Sequence, residues 1–322
     1  MAADALRNRT NLILLAVAAV AALAAPFLFY PLFLTKVLCY ALFASAFNLL
    51  LGSCGLLSFG HAAYFGAAAY VAGHAAKAWG MPFEVSIILG VFAAAALGAV
   101  FGYLAIRRQG IYFAMITLAL AQMIYFLAVQ LPFTGKEDGL TSIPRGRVLG
   151  LFDLDNLTVL YFTTLAIFVG ALMLIHRIIH SPFGQVLHAI RDNEPRAISL
   201  GYVANRFKLQ AFVLSAALAG LAGANKAIAF KLATLTDVHW TTSGSVILMT
   251  LLGGLGTLLG PFVGALITVA LENYLADSGL PIQAVIGAIF ILCILLFRRG
   301  VVGEAHALLD RLHRTTGKSH QG

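Results

Sequence analysis

The chain has 322 residues, of which 61% are hydrophobic and only 11% are charged. Soluble domains carry about 25% charged residues, so this chain cannot cover a water-exposed surface and much of it must face lipid. A helix satisfies its own backbone hydrogen bonds in lipid, and the composition therefore predicts an all-α membrane protein. Cys39, Cys54 and Cys293 lie in or beside apolar stretches without metal-ligand or redox spacing, which indicates buried small side chains.

Apolar stretches of spanning length recur along the whole sequence. A membrane-spanning helix needs ~20 residues, and the stretches near this length lie at 11–30, 32–52, 61–78, 85–106, 111–130, 158–176, 208–232 and 281–297. The region 244–275 is apolar but contains glycine clusters and Gly260-Pro261, which break a helix. Two short segments, 244–255 and 261–275, are predicted there. The result is a polytopic bundle of about ten segments, whose broken region is a candidate pathway element.

The first apolar stretch has two interpretations. Arg7 and Arg9, followed by an apolar run that reaches Ala-Leu-Ala-Ala-Pro, resemble a cleaved signal peptide. The run continues to Tyr30 and the next stretch follows at once, which favours a retained helix.

The net charge of +8 is distributed unevenly. The N-terminus, the 107–110 turn, the 176–208 loop and the C-terminal tail hold 14 of the 21 basic residues and five of the 13 acidic ones. Basic loops stay on the cytoplasmic side, so both termini are predicted to be cytoplasmic and the 131–157 loop external. The charge is thus a topology signal, and nucleic-acid binding is excluded. Residues 304–322 form a basic tail that lacks the glycine which a phosphate-binding loop needs at position 312.

The 176–208 loop has its own helical pattern. Val186, Leu187 and Ile190 form one apolar face of a short helix. Asn193 or Glu194, followed by a proline, is typical of the start of a second short helix, and a glycine at 201 is placed to end it. Two interpretations remain open: the helices rest on the membrane surface or beneath the bundle, or they dock into a partner's groove.

Isolated polar residues inside the apolar stretches also allow two interpretations. His61 is either a helix-end histidine satisfied by backbone groups or a pathway residue. Asn48, Thr117 and Gln122 are predicted to bridge helices by hydrogen bonds. Lys226 and Lys231, late in the 208–232 stretch, are predicted to extend towards the membrane surface.

Three ordered blocks of the sequence resemble branched-chain amino acid ABC permeases of the LivM type. The loop is similar to the family's coupling loop, the segment 55–66 to its GLLSLGHAAFFG block, and 253–265 to its GGLGT--GP--GA block. The matching loop residues are Ser181 to Gly184, Ala189 to Arg191, Asn193-Glu194, Leu200-Gly201 and Lys208, followed by the apolar run Phe212 to Gly223. With the ending Phe297-Arg298-Arg299-Gly300, the resemblance covers roughly residues 35–303 and predicts one permease domain over 1–303.

The resemblance implies a subunit of an ATP-driven importer for branched-chain or related hydrophobic amino acids, in the cell inner membrane. Its partners are then a homologous permease subunit, two cytoplasmic ATPases, an external substrate-binding protein and membrane lipid. ATP hydrolysis takes place in the separate subunits, so this chain is neither an enzyme nor a binder of a cofactor or metal. The residues expected to transmit force from the ATPases are Phe183, Gly184, Ala189, Arg191, Asp192 and Glu194. The residues expected along the pathway are Ser58, His61, Tyr64, Gly254 and Gly256.

Other functions remain open from the sequence. Relatives of this family also carry urea or short amides, so the substrate class has more than one candidate. A stand-alone secondary transporter is a second alternative, although the spans lack the paired carboxylates that ion-coupled carriers use. A membrane enzyme is a third, and no catalytic motif supports it.

Overall fold

The computed structural model describes residues 22–275, 284–285, 287–291 and 300–301. Helices dominate, with two single-turn 3-10 helices and four two-residue strands in the loops. The helices are α1 Pro31–Cys54, α2 His61–Lys77, α3 Phe83–Ala105, α4 Ile111–Gln130, α5 Leu157–Ile179, α6 Pro182–Asp192, α7 Glu194–Ser199, α8 Ala204–Phe230, α9 Leu235–Val238, α10 Trp240–Gly253 and α11 Gly260–Leu275. The strands are β1 Leu140–Thr141, β2 Arg147–Val148, β3 Phe152–Asp153 and β4 Leu232–Ala233.

The all-α polytopic fold predicted from the sequence is confirmed. Five of the described helices, α1, α3, α4, α5 and α8, are long and apolar enough to cross a membrane. The two short segments predicted around the glycine-rich break are present as α10 and α11. The first and last predicted spans, 11–30 and 281–297, lie largely outside the described residues.

Helix α8 is the central helix of the bundle, packed against α1, α2 and α3. Glycines allow the close approach, because a Cβ atom at Gly223 would overlap the carbonyl oxygen of Phe65 in α2, and one at Gly220 would overlap Ala94 in α3. Helices with such small faces associate through van der Waals packing rather than through the hydrophobic effect, which is weak in lipid. The small residues of α8 thus set the spacing of the core.

The predicted external loop 131–157 is tied to the C-terminal end of α8. Strand β1 pairs antiparallel with β4, with Leu140 opposite Ala233. The Arg145 guanidinium donates two hydrogen bonds, of 3.1 and 2.8 Å, to the carbonyl oxygen of Ala229. That carbonyl belongs to the last turn of α8, where backbone acceptors have no partner within the helix. The loop therefore closes one end of the bundle.

Helix α2 begins in the interior rather than at the bundle end. Helix α1 ends at Cys54, and the chain then turns back through a non-helical segment, 55–60. His61, the first residue of α2, is linked through one hydroxyl to the carbonyl of Ala46, which lies eight residues, about 12 Å, before the end of α1. With 17 residues, α2 is about 25 Å long. The sequence predicted a break only in 244–275, and the structure adds a second one here.

Candidate translocation and coupling sites

His61 is fully buried and hydrogen-bonded across three helices. Its Nε2 lies 2.8 Å from the hydroxyl of Ser215 in α8, and that hydroxyl donates to the carbonyl oxygen of Ala46 in α1 at 2.6 Å. Because the single hydroxyl proton is used on Ala46, the Ser215 oxygen must accept, and Nε2 carries the imidazole proton. Nδ1 is then the acceptor nitrogen, and it has no partner among the described residues.

Three more hydroxyls hold the start of α2. The Ser243 Oγ of α10 accepts from the backbone N–H of Ala62 at 2.8 Å, and the Thr117 Oγ1 of α4 accepts from Phe59 N–H at 3.1 Å. Ser58 Oγ accepts from Gly60 N–H at 3.2 Å. These bonds satisfy donors that a helix start leaves free. We call Ser58, Thr117, Ser215 and Ser243 the hydroxyl collar; all four are buried.

Aromatic rings surround the collar. The His61 ring lies edge-on to Phe47 and Tyr64, with centroids 5.0 and 5.7 Å away. Tyr64 also contacts Phe101 and Phe212, at 6.1 and 5.7 Å. The Tyr64 hydroxyl is buried and has no hydrogen-bond partner in the described part of the chain. An unpartnered buried polar group costs about 1–3 kcal/mol. Tyr64 Oη and His61 Nδ1 are two such groups, and a hydrogen bond to water or to a substrate would remove that cost.

The five predicted pathway residues separate into two groups. Ser58, His61 and Tyr64 lie together at the collar. Gly254 and Gly256 lie in the turn between α10 and α11, with positive φ angles of 119° and 74°. Helix α1 contacts both groups, because Phe47 lies edge-on to His61 and Asn48 accepts from Gly256 N–H, and their role in transport remains a prediction.

Asn48 of α1 clamps the glycine turn. Its Nδ2 donates to the Thr257 carbonyl at 2.9 Å, and its Oδ1 accepts from Gly256 N–H at 3.0 Å. Gly52 permits this approach, since a Cβ there would lie 3.2 Å from Gly256 Cα. Asn48 and Thr117 therefore do bridge elements, although each bonds to a non-helical segment and not to a neighbouring helix, and Gln122 makes no side-chain hydrogen bond within the described residues.

The predicted pair of loop helices is confirmed as α6 and α7, and both have side-chain caps. The Ser181 Oγ accepts from Gly184 N–H, and the Asn193 Oδ1 accepts from Arg196 N–H at 3.1 Å. Beyond α7, the N–H of Tyr202 donates to the carbonyl oxygen of Ala197. The chain can turn back in this way because Gly201 adopts a positive φ angle of 91°. This glycine-based ending was also predicted.

Two polar contacts attach α6 and α7 to the spanning helices. The Arg191 guanidinium donates to the carbonyl oxygen of Gly52 near the end of α1. The Glu194 carboxylate forms an ion pair of 2.6 Å with Lys208 of α8, whose side chain is only 4% exposed. Gln109 donates to the same carboxylate oxygen at 2.7 Å. We call Glu194, Lys208 and Gln109 the charge clamp.

The six predicted coupling residues thus face in different directions. Ala189 and Asp192 are exposed, whereas Arg191 and Glu194 bind the bundle. Gly184 is buried, and a Cβ there would overlap the carbonyl oxygen of Ile179. Phe183 is half-buried and stacks on Phe207 of α8, with ring centroids 5.8 Å apart. Ala189 and Asp192 are therefore free for an external contact, Arg191 is exposed but also bonds to α1, and the other three fix the position of the helices.

The sequence did not predict Ser215 as the partner of His61 or Asp237 as the partner of Lys226, and it predicted the wrong position for the Lys226 side chain. Ser215 lies in the small-residue run of α8, where a lone serine among alanines is the available signal. The prediction that Lys226 extends to the surface is wrong, because its ammonium group contacts both carboxylate oxygens of Asp237, at 2.8 and 2.6 Å. Asp237 lies eleven residues further along the chain, beyond the end of α8, so no local pattern reveals the pair.

Comparison with known proteins identifies the family. The family model described as branched-chain amino acid transport system / permease component matches residues 29–297. The high-affinity branched-chain amino acid transport system permease protein LivM of Escherichia coli (strain K12) is 26% identical over 291 residues, covering 83% of this chain and 68% of that protein. The same-named protein of Salmonella typhimurium is 25% identical over the same shares.

A more distant relative is the autoinducer 2 import system permease protein LsrC of Klebsiella pneumoniae, 30% identical over 152 residues, which are 46% of this chain and 42% of that protein. No solved structure matches the chain significantly. Because the family model covers most of the chain, from the start of α1 through the last described helix, the chain belongs to the family of branched-chain amino acid transport system permease components.

Proposed function

We propose that this chain is one of two homologous permease subunits of an ATP-driven importer for branched-chain or related hydrophobic amino acids in the cell inner membrane. Cytoplasmic ATPases act on the exposed side of α6 and α7, and an external binding protein delivers the substrate. The observation that carries the proposal is the coupling segment, two capped helices with Ala189 and Asp192 exposed and their other side fastened to the bundle.

The attachment points suggest how force enters the membrane. Arg191 fastens α6 to α1, and Glu194 fastens the start of α7 to α8. The same two helices supply Ala46 and Ser215 to the collar. Seven residues of α8, about 10 Å, separate Lys208 from Ser215. A shift of α6 and α7 therefore acts on both helices that hold His61.

The collar suits a zwitterionic substrate with an apolar side chain. It offers hydroxyls, an imidazole nitrogen and aromatic rings, without a carboxylate or ammonium group among the collar residues. A fixed charge at this depth is costly and would hold an oppositely charged group tightly. Polar groups without a formal charge let the substrate pass after a conformational change, with the pathway completed by the homologous subunit.

The test is ATP-driven uptake by the complete transporter carrying Ala189→Arg and Asp192→Arg together. These positions are exposed, so the bundle is expected to assemble normally while uptake falls by at least tenfold and ATPase binding weakens. Glu137→Arg in the exposed 131–157 loop, at the opposite end of the bundle, is the control and leaves ATPase binding unchanged. Normal uptake by the double variant would contradict the proposal.

The substrate and energy source are tested separately. Competition by leucine, valine, urea and short amides against the transported amino acid separates the substrate classes, and inhibition by branched-chain amino acids alone is expected. Uptake into proteoliposomes that lack ATPases but carry an ion gradient tests the secondary-transporter alternative, and no uptake is expected there.

A further inference from the structure

Two adjoining cavities form one groove on the surface between α3 and α8. The first has a volume of about 480 Å³ and the second about 270 Å³, and Leu209 of α8 lines both. The first cavity is lined by Ala99, Phe183, Leu209, Gln210, Val213 and Leu214. Its walls are mostly aliphatic or aromatic, and its size is that of a small-molecule site. This part of the groove fits hydrocarbon.

The second cavity ends in a basic rim. Its lining includes Arg107 and Arg206, with Tyr103 and Asn205 between the helices. The Arg107 guanidinium donates to the Tyr103 hydroxyl at 2.6 Å and lies 4.6 Å from the ring centroid. Within the described ranges neither Arg107 nor Arg206 forms an ion pair. The rim therefore offers two guanidinium groups without a carboxylate, and an oriented ring.

The position of the groove in the membrane fixes the kind of ligand. Both α3 and α8 are long enough to span the membrane, and the rim lies where α3 ends and α8 begins, next to the coupling segment. The apolar part extends from there along the two helices towards the bilayer centre. Guanidinium groups bind phosphate with paired hydrogen bonds, and basic pockets between spanning helices on the cytoplasmic side bind anionic head groups.

We propose that this groove is a binding site for an anionic phospholipid, with its phosphate at Arg107 and Arg206 and an acyl chain along Val213 and Leu214. Charge complementarity selects this occupant, because a zwitterionic lipid brings its own cation next to the two guanidinium groups, and an apolar protein face brings no anion at all. Phe183 of α6 forms one wall of the apolar part, so the bound chain contacts the first helix of the coupling segment. The site does not depend on the transported substrate.

A tryptophan reporter with brominated lipids tests the proposal on the full chain. Trp79 and Trp240 are the two tryptophans of the sequence; both are replaced by phenylalanine, and Ala99→Trp places a new one in the groove. The protein is reconstituted in bilayers that mix phosphatidylcholine with brominated phosphatidylglycerol, or the reverse, and quenching gives the relative affinity of the two lipids. Leu214→Trp is a second reporter in case the first disturbs folding.

We expect phosphatidylglycerol to be preferred by on the order of tenfold at the groove, and R107Q/R206Q to bring the preference close to one. The control R108Q/R177Q removes the same charge from the same end of the bundle, at exposed residues outside the groove, and keeps the preference. An equal affinity for the two lipids in the parent protein overturns the proposal. So does the same preference in both double variants, which indicates general surface charge, or a lack of quenching by either lipid, which indicates that protein covers the groove.

Discussion

The hydroxyl collar and the charge clamp solve the same problem in two different ways. Both hold a helix start against α8, the collar at the beginning of α2 and the clamp at the beginning of α7. The collar uses serine and threonine hydroxyls at full burial, whereas the clamp uses the ion pair of Glu194 with Lys208 at the bundle end. Charges are expensive in the bilayer interior and cheaper near its surface, where long side chains reach water.

The difference teaches where each region is expected to move. Hydroxyl hydrogen bonds between membrane helices contribute only about 0.6–2 kcal/mol each, so several can exchange partners at small cost. A nearly buried ion pair costs more to separate, and the clamp is therefore the rigid connection. If the proposed function holds, we expect the coupling segment to transmit displacement and the collar to yield to it. Each of the following predictions alters one contact: the packing of α2 against α8, the charge clamp, the collar or the 131–157 loop.

The largest effect is expected from overfilling the close contact beneath the collar. Gly223→Val places a branched side chain against the carbonyl of Phe65, and such overpacking costs at least about 1–3 kcal/mol. Where the obstacle is backbone, the helices must separate, and the protein is expected not to accumulate in the membrane. Gly170→Val in α5 adds the same side chain where it faces open space and is the matched control, with unchanged levels by immunoblot of membranes. Equal accumulation of both variants would show that α2 and α8 do not pack this closely.

Breaking the charge clamp is expected to have the next largest effect. Glu194→Gln leaves the ammonium group of Lys208, which is 4% exposed, without its counter-ion. The expected loss of unfolding free energy is about 2–4 kcal/mol. It is somewhat smaller than the roughly 3–5 kcal/mol for breaking a fully buried pair, because Glu194 is partly exposed. Thermal unfolding of purified protein in detergent measures it. The double variant E194Q/K208M removes both charges and should recover most of the lost stability; if the double variant is as unstable as E194Q, the ion pair is not the cause.

A smaller loss is expected from the collar. Ser215→Ala removes the partner of His61 Nε2–H and frees the carbonyl of Ala46, at a cost of about 1–3 kcal/mol. Ser45→Ala is the control, because the Ser45 hydroxyl is also buried but bonds to Ala41 within its own helix, and that bond contributes little to stability. The two variants are compared by the same thermal unfolding measurement. A loss for Ser45→Ala as large as that for Ser215→Ala would contradict the role assigned to the collar.

The smallest effect concerns the 131–157 loop, which is predicted to be external, at the opposite end. The hydrogen bond from Lys231, together with the charges of Lys231 and Arg145, lowers the pKa of Asp155. A carboxyl with a lowered folded-state pKa stabilises the folded loop above the ordinary aspartate pKa of about 3.9, and this contribution is lost as the pH falls through the lowered value. Hydrogen exchange in 140–155 is expected to rise more steeply below pH 4 in the parent protein than in Asp155→Asn. Identical acid profiles would contradict the prediction.

The sequence predicted the elements well and their contacts less well. Apolar runs place each described span within four residues of its observed bounds, and the glycines of 253–260 predict the break between α10 and α11. The interior start of α2 was missed because the apolar run from His61 is nearly long enough to span the membrane, so its depth cannot be read from length. His61 with Ser215 and Lys226 with Asp237 pair across elements, and such contacts depend on tertiary packing that no local pattern encodes.

The coupling loop shows the same limit. The cap at Asn193 follows from local chemistry and was anticipated in the sequence pattern, whereas the cap at Ser181 and the direction of each side chain were not. Arg191 and Glu194 were expected to face an ATPase, and in the structure both contact the bundle. Charge reversal at these two positions therefore disturbs the loop's own attachment, and only exposed positions report cleanly on a partner.

The most direct test of the account is a cross-link between the coupling segment and an ATPase subunit. Ala189→Cys, in a chain whose three native cysteines are replaced by alanine, is expected to form a cross-link to the ATPase in the assembled transporter and to block ATP-driven uptake until the link is cleaved. Leu149→Cys, at the opposite end in a residue that is 74% exposed, is the control and should not cross-link. A cross-link absent at both Ala189→Cys and Asp192→Cys, in a transporter that still imports substrate, would contradict the coupling role of α6 and α7.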